Sequence, residues 1–442
     1  MELKEVLEQN SISDNMSSSR FLSKNNEFVL RAAFAAFGVY FCMYAFRKPF
    51  TVATFENISY LGIDYKILLI IAQVFGYFIS KFLGIKIISE MKSNLRLKYL
   101  LGFILMAELS LLGFAVVPKP YNILFMFLNG LPLGMIWGIV FSYLEGRKST
   151  ELLGLILCSS FVVSSGFVKT VGKFTMDSLG INEFWMPFCT GLFFLIPLLF
   201  FGLQLEKLPP PNAEDMAQKT KRLPLNKKER SKLLQKFFYP LLFLTFFYVI
   251  LTVLRDFRDN FTREIWDSLG YKNNAVLYTL SEIPIAIIVL TVFSFLGTMK
   301  NNSKAFLYYH YALFAGILII GLSTLFFRLL LIGPVLWMVL SGLGMYLCYI
   351  PFNGIYFDRM IATFKIKGNV GFLIYFVDSF GYLGSALVLL YKNFGQKNSS
   401  WLQFYINLNY IIVFFGFTAV TITLLFFKKS TTQINLRYEN QI

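Results

Sequence analysis

Charge is scarce in this sequence: 15% of its residues are Asp, Glu, Lys or Arg, against roughly 25% in soluble domains. Histidine is nearly absent. His310 is the only one, so a histidine-based metal centre cannot be assembled. The four cysteines, Cys42, Cys158, Cys189 and Cys348, all fall in apolar stretches without ligand spacing. They read as small buried hydrophobes rather than as a disulfide or redox pair. No Walker-type P-loop, nucleophile triad or Cys/His set is visible, so an ATP-driven pump and a membrane hydrolase have no support in the sequence. An enzyme is therefore not expected, nor a metal or other cofactor. The first 27 residues hold no apolar run, so a cleavable leader is not expected either.

Apolar residues are abundant, at 56% of the chain, and 18% of residues are aromatic. They fall into twelve blocks of about 20 residues, each long enough to cross a ~30 Å hydrocarbon core as a helix. What remains is short loops, two tails and one connector, with no room for a folded soluble domain. The expected fold is all-α and integral to a membrane, with twelve transmembrane helices in two six-helix bundles. Residues 1–27 form a tail, 28–203 the first bundle, 204–237 a basic linker, 238–428 the second bundle and 429–442 a second tail. The linker carries Pro209, Pro210, Pro211 and nine basic residues, too polar to fold alone except as a basic helix lying on the surface.

The net charge of +16 would suggest nucleic acid in a soluble chain. Here the 41 basic residues sort by loop. With the N-terminus cytoplasmic, 27 lie on cytoplasmic pieces, 13 on outer loops or their helix ends, and Lys81 lies within a segment. The bias follows the positive-inside rule and places both termini in the cytoplasm, in the inner membrane. The expected partners are the lipid bilayer and a small anionic solute, with no nucleic acid, and the protein is expected to be a monomer.

Ionisable residues near the bilayer centre cost about 2.5–3.5 kcal/mol each on insertion scales, so they face a partner or a polar cavity. Tyr40, Tyr44 and Arg47 share a helix face at i, i+4, i+7. A guanidinium there suits bidentate capture of phosphate or carboxylate. The alternative is that Arg47 and Lys48 snorkel to the outer interface at a proline-ended helix. Tyr77 and Lys81 share a face in the second segment, where Lys81 either reaches the headgroups or points into a cavity. Arg255 and Asp259, again at i, i+4, either neutralise each other or leave the arginine to a ligand. Glu108, Glu282 and Asp378 are single acids in apolar segments. They either carry a coupled proton or pair with Lys81, Lys169 or Arg255. His310 reads as an ordinary buried or interfacial histidine. Gly130, Gly134, Gly138, Gly342 and Gly344 allow close helix approach.

These motifs resemble the major facilitator superfamily, and within it the organophosphate:phosphate antiporters. The stretch from Tyr44 to Phe50 matches the Tyr-x-x-Arg-Lys-x-Phe element of their first helix. Tyr77 to Phe82 matches Tyr-Gly-x-Ser-Lys-Phe in the second, with Phe78 in place of glycine. Tyr248 to Arg255 matches a Tyr…Leu-Arg element, and Gly381 to Gly384 a Gly-Tyr-Leu-Gly stretch in helix eleven. The resemblance implies an anion held between one arginine from each half, Arg47 and Arg255, with Lys81, Tyr40, Tyr44 and Tyr77 around it. It also implies alternating access and exchange of a phosphate ester for phosphate. Three departures stand against it. Residues 158–167 hold no histidine where the family has one, Glu90 replaces an aspartate after the second helix, and the aspartate-tryptophan pair after the second arginine is missing. They put this chain in a separate branch from the antiporters themselves. A second reading is a transporter-like sensor that binds a ligand without moving it.

Overall fold

In a computed structural model of the chain, the described residues are 27–439 apart from 90, 146, 148, 211–234, 236, 273, 354, 365–369, 397 and 398. Within them the backbone is almost wholly helical, as hydrocarbon demands, because only an internally paired backbone is stable there. The first six long helices are α1 Glu27–Phe46, α2 Tyr65–Ser89, α3 Arg96–Val116, α4 Ile123–Leu144, α5 Thr150–Asp177 and α6 Met186–Glu206. The second six are α7 Phe238–Asn260, α8 Val276–Gly297, α9 Asn302–Arg328, α10 Pro334–Tyr349, α11 Val370–Gly395 and α12 Trp401–Glu439. Eleven of them pass as membrane spans by length and composition among the described residues. The twelfth, α11, has 26 residues and is also long enough to cross.

Each set of six packs as a bundle, and the bundles meet along two seams, α2 against α11 and α5 against α8. Loop contacts define two faces. On one, Glu183 before α6 accepts from the Thr54 and Phe55 amides at 2.9 and 3.1 Å, and Asn393 at the end of α11 accepts from the Asp64 amide. On the other, which carries the linker, Tyr143 donates to Glu206 at 2.5 Å and Arg359 pairs with Glu151 at 2.9 Å. The basic helix expected in the linker lies outside the described residues.

The segments differ from the sequence expectation where proline or a polar residue interrupts them. The first loosens into a 3-10 turn at Tyr44–Phe46 and restarts at Pro49–Val52, since Pro49 lacks an N–H and suits the first position of a new turn. The eighth breaks at Ser281, and Glu282 opens its second piece. The tenth ends at Tyr349, and two short helices not expected from hydropathy follow α7 and α10, at Thr262–Ser268 and Ile355–Thr363.

Helices α2 and α4 touch backbone to backbone. A Cβ on Gly76 would lie 2.2 Å from the Phe127 carbonyl oxygen, and one on Gly130 2.2 Å from that of Gln73. Backbone cannot give way as a side chain can, so Gly130→Val is expected to destabilise the protein by about 3 kcal/mol, the upper part of the overpacking range. Thermal denaturation in detergent checks this. A melting temperature unchanged from the wild type would show that α2 and α4 are further apart.

Candidate functional site

Between the bundles, the middle of the molecule holds, among the described residues, six cations, Arg47, Lys48, Lys81, Lys169, Arg255 and Arg258, and four acids, Asp256, Asp259, Glu282 and Asp378. All are largely or fully buried. Two positive charges are left over.

The acids divide the cations unevenly. Asp259 of α7 takes two lysines from the first bundle, Lys48 at 2.5 Å and Lys169 of α5 at 2.5 Å. Lys48 also donates to Asn260 at 2.8 Å, Lys169 to Thr262 at 3.0 Å, and Ser165 donates to Asp259. Nearer the face opposite the linker, Lys66 pairs with Glu264 and donates to the Thr51 carbonyl at 2.6 Å, while Arg263 donates to the Val52 carbonyl. This belt joins the bundles on that face. On the linker face, Arg359–Glu151 bridges them.

Two sequence alternatives are corrected here. Arg47 and Lys48 do not snorkel to an interface: they are 6% and 3% exposed, deep in the bundle contact. Arg255 does not pair with Asp259. Its Nε and Nη2 both donate to Asp256, at 3.1 and 2.6 Å, and its Nη1 donates to the Tyr349 hydroxyl. Asp259 is instead drawn across the interface by two lysines.

Lys81 and Asp378 meet across the α2–α11 seam at 3.1 Å, and Tyr248 donates to the other carboxylate oxygen at 2.7 Å. Glu282 is paired with Arg258 at 2.5 Å rather than with Lys81, Lys169 or Arg255. Glu108 stands apart, between α3 and α6, with no hydrogen-bond partner for either oxygen.

Arg47 is held differently from every other central cation. Its guanidinium lies 4.1 Å over the Tyr77 ring and 5.9 Å from that of Tyr44, contacts worth up to about 2 kcal/mol when desolvated. Among the described residues it has no carboxylate partner, and its Nε is buried without an acceptor. Its backbone is fixed from below: Gln73 donates to the Arg47 carbonyl at 3.0 Å and to Asn129 at 2.8 Å. Asn129 in turn donates to the carbonyls of Phe46 and Ala107, at 3.0 and 3.1 Å. These amides satisfy carbonyls freed where α1 loosens.

The structure thus brings Tyr40, Tyr44, Tyr77, Lys81 and Arg47 together in the first bundle and sets Arg255 across from them. The Tyr40 and Tyr44 rings are 5.7 Å apart, and Lys81 lies 5.2 Å from the Tyr77 ring. Tyr382 of α11 packs 5.1 Å from Tyr77, close enough to feel the charges of both Arg47 and Arg255. Glu108 and Glu282 are not part of this group. The residues that sequence reasoning passed over are Gln73, Asn129 and Tyr349, while Asp256 and Tyr382 lay within the Arg255–Asp259 and Gly381–Gly384 stretches without an assigned role. His310 is fully buried, hydrogen-bonded to the Phe306 carbonyl and the Tyr356 hydroxyl at 2.9 and 3.0 Å.

Two six-helix bundles meeting around a buried polar centre form the major facilitator fold. Solved structures of that fold align with nearly the whole chain. A D-xylose–proton symporter is 14% identical with a TM-score of 0.55, covering 90% of this chain and 95% of its own. The nucleoside transporter NupG, in a single-site mutant form, is 12% identical with a TM-score of 0.57, covering 90% and 99%. The human organic anion transporter MFSD10 (TETRAN) is 11% identical with a TM-score of 0.55, covering 88% and 99%. At residues 49–430 the sequence matches DUF5690, a family of unknown function, and the chain belongs to that family. A comparison with curated proteins gives no match.

Proposed function

We propose that this protein is a secondary transporter of a small organic anion, working by alternating access of its two bundles about the central site. The observation that carries the reading is Arg47. A buried guanidinium without a carboxylate, in a centre with two surplus positive charges, is matched by an anionic solute. Arg47 supplies the anion contact from the first bundle, and Arg255, with the Tyr349 hydroxyl, closes on it from the second. Lys81 tunes the local charge, and Tyr40, Tyr44 and Tyr77 provide hydroxyls and aromatic walls. The planar fork of Arg47 suits a phosphate ester, taken up in exchange for phosphate, while that of Arg255 is engaged by Asp256. The resemblance to antiporter motifs supports this chemistry, and the solved structures support the fold alone.

The orientation we propose has both termini in the cytoplasm of a cell with this protein in its inner membrane. Seven of the thirteen basic residues counted for the opposite face are buried, namely Arg47, Lys48, Lys66, Lys169, Lys173, Arg258 and Lys392, so the asymmetry between faces is sharper than the sequence count.

Counterflow tests the reading. Proteoliposomes preloaded with phosphate should accumulate labelled glycerol phosphate from outside and ignore labelled glycerol. Binding without accumulation would make the protein a sensor, and equal handling of the two solutes would remove the anion from the account.

A further inference from the structure

Glu108 is the one central-depth acid in the described residues that the anion site does not use and that no cation answers. It sits on α3 at 3% exposure, and neither carboxyl oxygen has a hydrogen-bond partner. Its carboxyl is pressed onto α6 at Gly191, where a Cβ would lie 2.2 Å from Oε2. Helix α6 therefore makes room for this acid by having no side chain there.

The elements packed on α3 are α4, α6 and the Tyr44–Phe46 turn. Their titratable groups are Tyr143 on α4, Cys189 and Glu206 on α6, and Tyr44. Tyr143 and Glu206 bind each other at the linker face, and Tyr44 lies by Arg47. Only the Cys189 thiol is near Glu108. Arg96 and Lys98, the cations of α3 itself, lie about three turns away at its linker end. A carboxylate so placed has neither donor nor counter-ion, and its charge is intolerable without water.

We propose that Glu108 is a proton-binding site, separate from the anion site and coupled to it through the α3 backbone. With α3 and α6 in contact, Glu108 is the neutral acid. When water reaches it, the carboxyl gives its proton to that water and the charged form holds the helices apart. A proton from hydronium reverses the step. The neighbouring residue supplies the link: Asn129 donates to the Ala107 carbonyl and accepts from Gln73, which also holds the Arg47 carbonyl. Separation of α3 from α6 shifts that thread and with it Arg47, so anion binding weakens as Glu108 loses its proton. The coupling half of this inference rests on the anion reading above; the proton site itself does not.

Two measurements on the full-length protein in neutral-lipid vesicles test it. The first is the infrared difference spectrum between acid and alkaline buffer. The wild type should show a protonated-carboxyl band at acid pH that Glu108→Gln lacks. Absence of any such difference overturns the proton site, whatever the protein transports. The second is the affinity for inorganic phosphate or glycerol phosphate across the same range. The wild type should lose about tenfold toward alkaline pH beyond the titration of the probe itself, and Glu108→Gln should stay at its acid-side affinity. An identical pH profile in the two proteins overturns the coupling. If neither protein binds any anion while the carboxyl band is present, the anion reading fails and the proton site stands.

Discussion

Replacing Asp259 by asparagine is expected to open the face opposite the linker. The change leaves Lys48 and Lys169 both buried without a carboxylate. Removing one partner of a buried pair costs roughly 3–5 kcal/mol, and two stranded lysines put this variant at the upper end. The cost falls on the closed arrangement, because only there are the lysines dry. The folded protein relieves it by parting the bundles and hydrating both ammonium groups. A cysteine placed at Thr51, which is 1% exposed beside Lys48 and Lys66, should then react with a water-soluble maleimide in the variant and not in the parent. Adding Lys169→Met should restore part of the protection, since one lysine again has no rival cation beside it. An unreactive Thr51→Cys in the Asp259→Asn background would mean that the belt does not hold this face shut.

Arg47→Lys is expected to lower anion affinity by about a hundredfold, roughly 2.8 kcal/mol, within the range for truncating one side of a buried charge pair. Lysine keeps the charge but neither the two-pronged donor geometry nor the flat face that lies on Tyr77. The Gln73 and Asn129 contacts go to backbone carbonyls, so they survive the substitution and the helix end keeps its shape. Stability should therefore change little while binding is lost. Loss of both together would make Arg47 a structural residue, and loss of neither would remove it from the site.

The helical plan was legible because lipid imposes it: about 20 apolar residues and a polar break can be counted without any tertiary knowledge. Breaks inside helices were only half legible. Pro49 announced the first, but nothing in hydropathy marked Ser281 or the helix at Thr262–Ser268. The charged residues at membrane depth were visible as a set, since each is costly, yet their partners were not. Lys48 and Asp259 are 211 positions apart, and the i, i+4 rule offered Asp259 to Arg255 instead. Two lysines arriving from the other bundle displaced that local neighbour, and Arg255 turned to Asp256 and Tyr349. Gln73 and Asn129 carry no charge and so raised no alarm. The available signal was an amide in each of two apolar helices, α2 and α4, the kind of polar pair that joins helices in lipid.

The central claim is that an uncompensated arginine makes the heart of this fold an anion site. It is tested most directly by thermal stabilisation of the wild type and of Arg47→Gln by two solutes of the same shape, glycerol phosphate and glycerol. The account predicts a rise in melting temperature for the wild type with glycerol phosphate alone, and none for Arg47→Gln with either. Stabilisation of the wild type by glycerol to the same degree, or of Arg47→Gln by glycerol phosphate as strongly as the wild type, would contradict it.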